Sequence, residues 1–284
     1  MLAGRIVESV VSAQDKMAEV NIGFIKADAG EIVANRLSPD GSKDPFIRAF
    51  VLKKADGKMA IVTAFSGHAT NLNSHSRELS RDYPGVLTDE LEKLPDVEFA
   101  MFCAGMVGSH SIKLKLPKGQ ERIEVAGKFL AEKIASQLSG INFSENTSTG
   151  HGHLELALPP PQLRLTENLR LRSWVFDSFF GSLKGEIYVL DIGNILLIGM
   201  PCDFSGELSI NNHLDSLAEI QGKQLFITSF NGAYIGYITE DRHYDTCTHD
   251  EVRVMNWVGP GMGSYFIEIT KGIIGTKNKA GVKN

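Results

Sequence analysis

Apolar residues recur along this chain with two different periods, and the alternation between them predicts a mixed α/β architecture. Leu2, Ile6, Val7, Val10 and Val11 fall at helical spacing and predict a helix over residues 1–12 with one apolar face. Residues 17–25 and 46–54 alternate apolar with polar positions, the period of a half-buried strand. The run Met59 to Phe65 is apolar almost throughout and predicts a buried strand, with the Asp56-Gly57 pair before it suited to a tight hairpin. A helix opening with Pro84 in its first turn is expected over 84–94, then a short strand over 99–103 ending in Gly105. Residues 121–138 form the clearest amphipathic helix, with Ile123, Phe129, Leu130, Ile134 and Leu138 along one side.

The second half reads less regularly. Residues 142–152 are polar and rich in Gly, Ser and Thr, so a loop is expected there. Pro159-Pro160-Pro161 follows as an extended, edge-type segment at a position suited to a subdomain border. Residues 186–200 are strand material folded into a hairpin at Gly193-Asn194, which ends at Pro201-Cys202-Asp203-Phe204. One helix is expected over 205–220 and a buried strand over 224–230, running into a loop that carries Tyr234 and Tyr237. The Lys-rich tail from Lys271 is expected to fray. No repeat divides the chain, and a single domain over 1–284 is favoured.

Composition narrows the function classes. Of 284 residues, 43% are hydrophobic and 22% charged, which is ordinary globular usage and argues against long disorder. The net charge of -5, with basic residues scattered, excludes the concentrated positive field that nucleic-acid binding needs. Cys103, Cys202 and Cys247 are far apart and form no Cys-x-x-Cys pair, so they read as free thiols. No window approaches the roughly 18–20 apolar residues of a membrane-spanning helix. Arg5 and Glu8 fall where a signal peptide would be apolar, so no export signal is read.

Candidate chemistry gathers at predicted strand ends. His68, in Gly67-His68-Ala69-Thr70-Asn71, lies just past the Met59 strand, where open α/β sheets place their ligand sites. A hydrogen-bonded loop histidine is the plainer reading of the same residue. The loop Cys103 to Ser111 and the pair Asp203 and Tyr237 occupy comparable positions after other strands.

In order and local wording these stretches resemble the neutral/alkaline non-lysosomal ceramidase family, from the first helix to about Phe266. The likeness rests on His68 followed by Asp82-Tyr83-Pro84-Gly85, on Pro201-Cys202-Asp203-Phe204, and on Tyr234-Ile235-Gly236-Tyr237-Ile238-Thr239. The resemblance implies a catalytic domain with a mixed β-sheet flanked by helices. It also implies zinc held by His68, Asp203 and Tyr237, and hydrolysis of an amide or related bond in a small-molecule or lipid-like substrate by metal-activated water. Ser111 corresponds by position to the family's loop serine, and Tyr234 is placed to steady a developing oxyanion.

Three departures qualify that reading. The family's acid is glutamate where this chain has Asp203, and the serine loop has Ser109 and Ile112 where the family has aspartate and proline. The family's upstream Thr-His-Thr-His-Ser-Gly motif, source of another zinc histidine, has no counterpart. The chain is then either a fragment of a longer protein or a branch that has lost a ligand, and its zinc would be held weakly. His151 and His153 are not assigned to the metal. Family members are typically exported, which is the compartment expected of a full-length form.

The alternative is a metal-incomplete, catalytically inactive member acting as a binding or structural module; a metal-free serine hydrolase using Ser111 and a nearby histidine is a third reading. Trp174, Phe176, Phe179 and Phe180 could meet an acyl chain, with core packing favoured. His243, Tyr244 and Asp245 read as a solvated loop rather than a pocket mouth. Gly259-Pro260-Gly261-Met262-Gly263 lacks the Lys-Ser/Thr of a phosphate loop.

Overall fold

Strand runs that are apolar on both faces need cover on both faces, and the chain supplies it with two sheets stacked between helices. The structure is a computed structural model that describes residues 2–145, 148–166, 169–246 and 249–276. One sheet has the order Val20–Asp28, Phe46–Lys54, Met59–Phe65, Val97–Ala104. Its first three strands are antiparallel and the last is parallel to its neighbour, reached through the helix Asp82–Glu92. The other sheet has the order Gln224–Thr228, Ile195–Gly199, Glu186–Ile192, Thr149–Glu155, with its first pair parallel and the rest antiparallel.

The inner faces meet in an apolar layer of Ile22, Phe50, Val62 and Ala64 against Ile195 and Phe226. The Phe50 and Phe226 rings pack edge to face at 5.2 Å. On the outer side of the first sheet, Ile47, Ala49, Val51 and Ile61 pack on Leu87, Leu91, Ala126, Leu130 and Ile134. These come from the helices Asp82–Glu92 and Gln120–Ala135. On the outer side of the second, Leu196, Ile198, Leu225 and Ile227 share a cluster with Ala218, Phe266 and Ile274 of Leu214–Ile220 and Met262–Gly275. The result is a mixed α/β fold in four layers, helix, sheet, sheet, helix. No helix among the described residues is long and apolar enough to cross a membrane.

Several expectations change. Residues 142–152 are not loop throughout: Thr149–Glu155 is an edge strand paired with Glu186–Ile192. Backbone pairing satisfies that strand whatever its side chains, and its polar residues face solvent. The helix expected over 205–220 is two, Gly206–Asn211 and Leu214–Ile220, because His213 takes a left-handed conformation at φ 53°. The first helix spans Leu2–Gln14, but none of its residues is buried, so its apolar stripe faces outward. The final helix continues through Lys271 to Gly275, and residues 277–284, with Cys247, lie outside the described residues. Cys103 and Cys202 are free.

Phe226 contributes the central ring to the layer between the sheets, so Phe226→Ala is expected to cost about 3–5 kcal/mol. In urea unfolding this appears as a lower midpoint at an unchanged slope.

Candidate active site

The two sheets send strand ends to one place. Past Phe65 the chain turns through Gly67 to His68, whose N–H donates to the His110 carbonyl at 3.3 Å and whose backbone forms a parallel bridge with Ser111. Beyond the end of the second sheet, Asp203–Phe204 pairs in parallel with Tyr237–Ile238 as a separate two-stranded sheet, and Asp203 stands opposite Tyr237. Between them lies Gly108, whose N–H donates to the Phe204 carbonyl at 2.9 Å. A Cβ at position 108 would meet the Asp203 carbonyl oxygen at 2.5 Å, so only glycine permits this approach. Gly236, at φ 88°, would put a Cβ 2.0 Å from the Met255 carbonyl oxygen, and it sets the turn that presents Tyr237.

His68 Nε2 lies 3.4 Å from Asp203 Oδ1, and the Tyr234 hydroxyl donates to Asp203 Oδ2 at 2.5 Å. Asp203 is buried and its Oδ1 has no hydrogen bond among the described residues. A buried carboxylate oxygen left without a donor, facing an imidazole nitrogen, suits a cation shared between them. Burial, and then the Asp203 carboxylate, push the Tyr234 phenol far above its usual range, so it remains a donor. The same causes raise Tyr237, partly offset by Arg36. Tyr237 Oη accepts from Arg36 Nη2 at 3.0 Å and donates to Glu251 Oε1 at 3.1 Å.

The Asp82-Tyr83 motif holds the histidine loop from both sides. Asp82 accepts from Asn71 N–H and Nδ2 at 2.7 and 2.8 Å, and Tyr83 Oη donates to the Gly67 carbonyl. Beneath the loop lies a buried ionic cluster. Asp44 Oδ2 accepts from Arg48 Nη1 and from Ser66 Oγ, each at 2.7 Å, and Arg48 also reaches Asp215 at 2.6 Å. The Asp44 N–H donates to His110 Nε2 at 3.0 Å, so the His110 proton sits on Nδ1, toward Ser109 Oγ and the Met106 carbonyl. Burial pushes the His110 pKa down, against Asp44. A neutral histidine with its acceptor nitrogen already engaged has no lone pair for a serine proton.

Sequence reading missed Arg36, which also donates to the Gly108 carbonyl at 3.2 Å, and Glu251. It also missed Glu207 and Glu240, which with His243 form a group among the described residues whose ligand atoms lie within 4.8 Å of one another and could hold a metal ion. Glu207 is fully buried against His243 Nε2 at 2.8 Å, and Arg242 pairs with both Glu207 and Glu240. Burial alone would push Glu207 up; the His243 hydrogen bond and Arg242 hold it below its ordinary value. The guanidinium already occupies the place of a cation there.

Other expected features are rearranged. His243 and Tyr244 are buried, contrary to a solvated loop, while Asp245 is exposed. Of the four aromatics, only Phe176 packs inside. His151 and His153 are exposed on the edge strand Thr149–Glu155.

Neither a protein-family model nor a curated protein sequence matches the chain. Solved structures do. Neutral ceramidase from Pseudomonas aeruginosa matches with a TM-score of 0.73 at 15% identity, over 95% of this chain and 54% of that one. A ceramidase complexed with C2 matches with a TM-score of 0.71 at 14% identity, over 92% and 54%. The chain spans about half the length of either structure. The likeness establishes the fold, that of a neutral ceramidase-like domain.

Despite burial, which alone would raise it, Asp44 is held below its ordinary value of 3.8 by Arg48 and Ser66. On acidification the unfolded chain therefore takes up this proton first, and the stability that Asp44 contributes is lost as pH falls below that value. Asp44→Asn is expected to cost about 3 kcal/mol at neutral pH. It should also flatten the acid limb of stability against pH; an unchanged limb in pH-dependent urea unfolding would contradict the assignment.

Proposed function

We propose that the chain is a single zinc-dependent hydrolase domain of the neutral ceramidase type, cleaving an amide or related bond in a lipid-like substrate. The observation that carries this reading is the buried Asp203 Oδ1, without a hydrogen bond among the described residues and 3.4 Å from His68 Nε2. The ligands would be His68 and Asp203, with the Tyr237 phenol as the third. Zinc supplies Lewis acidity when bound, acidifying a water and polarising a carbonyl. The protein's own groups orient and hold. Tyr234 fixes the Asp203 carboxylate so that Oδ1 faces His68, and its O–H is a proton donor held there until a substrate oxygen competes for it. Arg36 and Glu251 fix the Tyr237 hydroxyl, and the bridge to His68 carries Ser111 beside the site as a candidate catalytic serine. The likeness to ceramidase structures supports the reaction class, and the amide-bearing lipid remains part of the proposal.

A second reading, a metal-incomplete binding module, is favoured by one observation: the Tyr237 hydroxyl already has two protein partners. The metal-free serine reading loses His110 as its base, because His110 Nε2 is engaged, and is left with His68.

Purified protein titrated with zinc is expected to bind one equivalent, with affinity lowered on the order of tenfold or more in His68→Ala and Asp203→Asn. Turnover of an N-acyl sphingoid amide should vanish with Asp203→Asn and fall with Ser111→Ala. A protein that binds no zinc and cleaves neither amide nor ester belongs to the module reading, and chelator-resistant turnover to the serine reading.

A further inference from the structure

The helix Ser173–Phe180 turns most of its rings outward. Trp174, Phe179 and Phe180 are 64%, 78% and 62% exposed, whereas Phe176 is buried and packs on Trp257 at 5.2 Å. Phe176 thus anchors the helix, and three large aromatics remain in water. Three such rings on eight residues form the kind of apolar patch that marks an interaction site rather than internal packing.

Charge around the helix has the opposite sign to the chain as a whole. Residues 170–184 carry Arg170, Arg172 and Lys184 against the single acid Asp177, in a protein of net charge -5. Arg172 and Lys184 are exposed and make no ion pair among the described residues, while Arg170 lies 4.0 Å from Asp245. Exposed Trp and Phe flanked by unpaired cations are complementary to the headgroup and acyl boundary of an anionic bilayer.

The patch is also continuous with the candidate active site. Phe180 stacks on Trp257 at 6.0 Å, and Trp257 meets Tyr234 edge-on at 5.5 Å. Tyr234 lies 5.9 Å from Phe230, which lies 6.3 Å from His68. Phe230 is itself 44% exposed. A row of rings therefore leads from the exposed helix to the His68–Asp203 pair.

We propose that Ser173–Phe180, with Arg172 and Lys184, is an interfacial anchor that seats the chain on an anionic lipid surface and opens the His68–Asp203 site toward that surface. The second half of this statement rests on the hydrolase reading; the docking does not. The aromatics enter the interface and the cations meet the headgroups, so binding requires anionic lipid and weakens with salt.

The test is sedimentation of the full chain with vesicles of phosphatidylcholine alone and of phosphatidylcholine with phosphatidylserine, alongside tryptophan emission. The expected result is binding to the anionic vesicles with a blue shift, weakened about tenfold or more in Trp174→Ala/Phe179→Ala/Phe180→Ala. Arg172→Glu/Lys184→Glu should weaken binding to anionic vesicles while leaving the fold, read by circular dichroism, unchanged. Asp203→Asn should bind vesicles like the wild type, so a failed hydrolase reading shows in turnover and metal content while vesicle binding persists. Absence of binding to the anionic vesicles, or wild-type binding by the triple aromatic variant, overturns the proposal. So does a wild-type dimer in sedimentation velocity that the triple variant abolishes, together with no vesicle binding, because the patch is then a contact between copies of this chain.

Discussion

The packing of one sheet face against the other is the constraint on which this structure depends. His68 leaves the first sheet after Phe65, and Asp203 leaves the second after Gly199, so neither has the other as a neighbour unless the sheets are closed. The layer around Phe50 and Phe226 drives that closure through burial of apolar area. Hydrogen bonds then set the register: Ser229 N–H donates to the Ala104 carbonyl at 2.8 Å, Ser229 Oγ to that of Gly105 at 2.7 Å, and Gly108 N–H to that of Phe204. A non-directional force brings the halves together, and a few directional bonds decide which atoms face.

Around that junction the protein buries charge in compensated groups. Asp44 and Arg48 sit beneath the histidine loop, and Glu207 with Arg242 and His243 sits beneath the strand that carries Asp203. Each carboxylate has a cationic partner, consistent with the high cost of burying a charge alone. Asp203 differs from both, since its Oδ1 has His68 at 3.4 Å and no hydrogen bond among the described residues. Among the described residues it is the one buried carboxylate oxygen without a hydrogen bond, and that contrast with the satisfied clusters is why Asp203 is the candidate cation ligand.

The three residues of the candidate site stood out in sequence because each closes a local pattern, an apolar run followed by a polar group at a strand end. Their proximity was legible only through family resemblance, since nothing in periodicity relates residue 68 to residue 203. Arg36 and Glu251 had no such signal: Arg36 follows a three-residue strand, Val33–Asn35, that pairs across the chain with His110–Ile112. The edge strand Thr149–Glu155 was hidden because its polar residues carry no alternation and its hydrogen bonds come from a partner strand. The break at His213 overrides a pattern compatible with one continuous helix. For Trp174, Phe179 and Phe180, aromatic spacing specifies a face but not whether anything covers it.

Convergence of the two sheets would make a cation site between His68 and Asp203. Anomalous diffraction at the zinc absorption edge, from crystals grown with zinc, tests it directly. One strong peak is expected between His68 Nε2 and Asp203 Oδ1, within reach of the Tyr237 hydroxyl. A peak at Glu207, Glu240 and His243 instead, or none at His68, would contradict it.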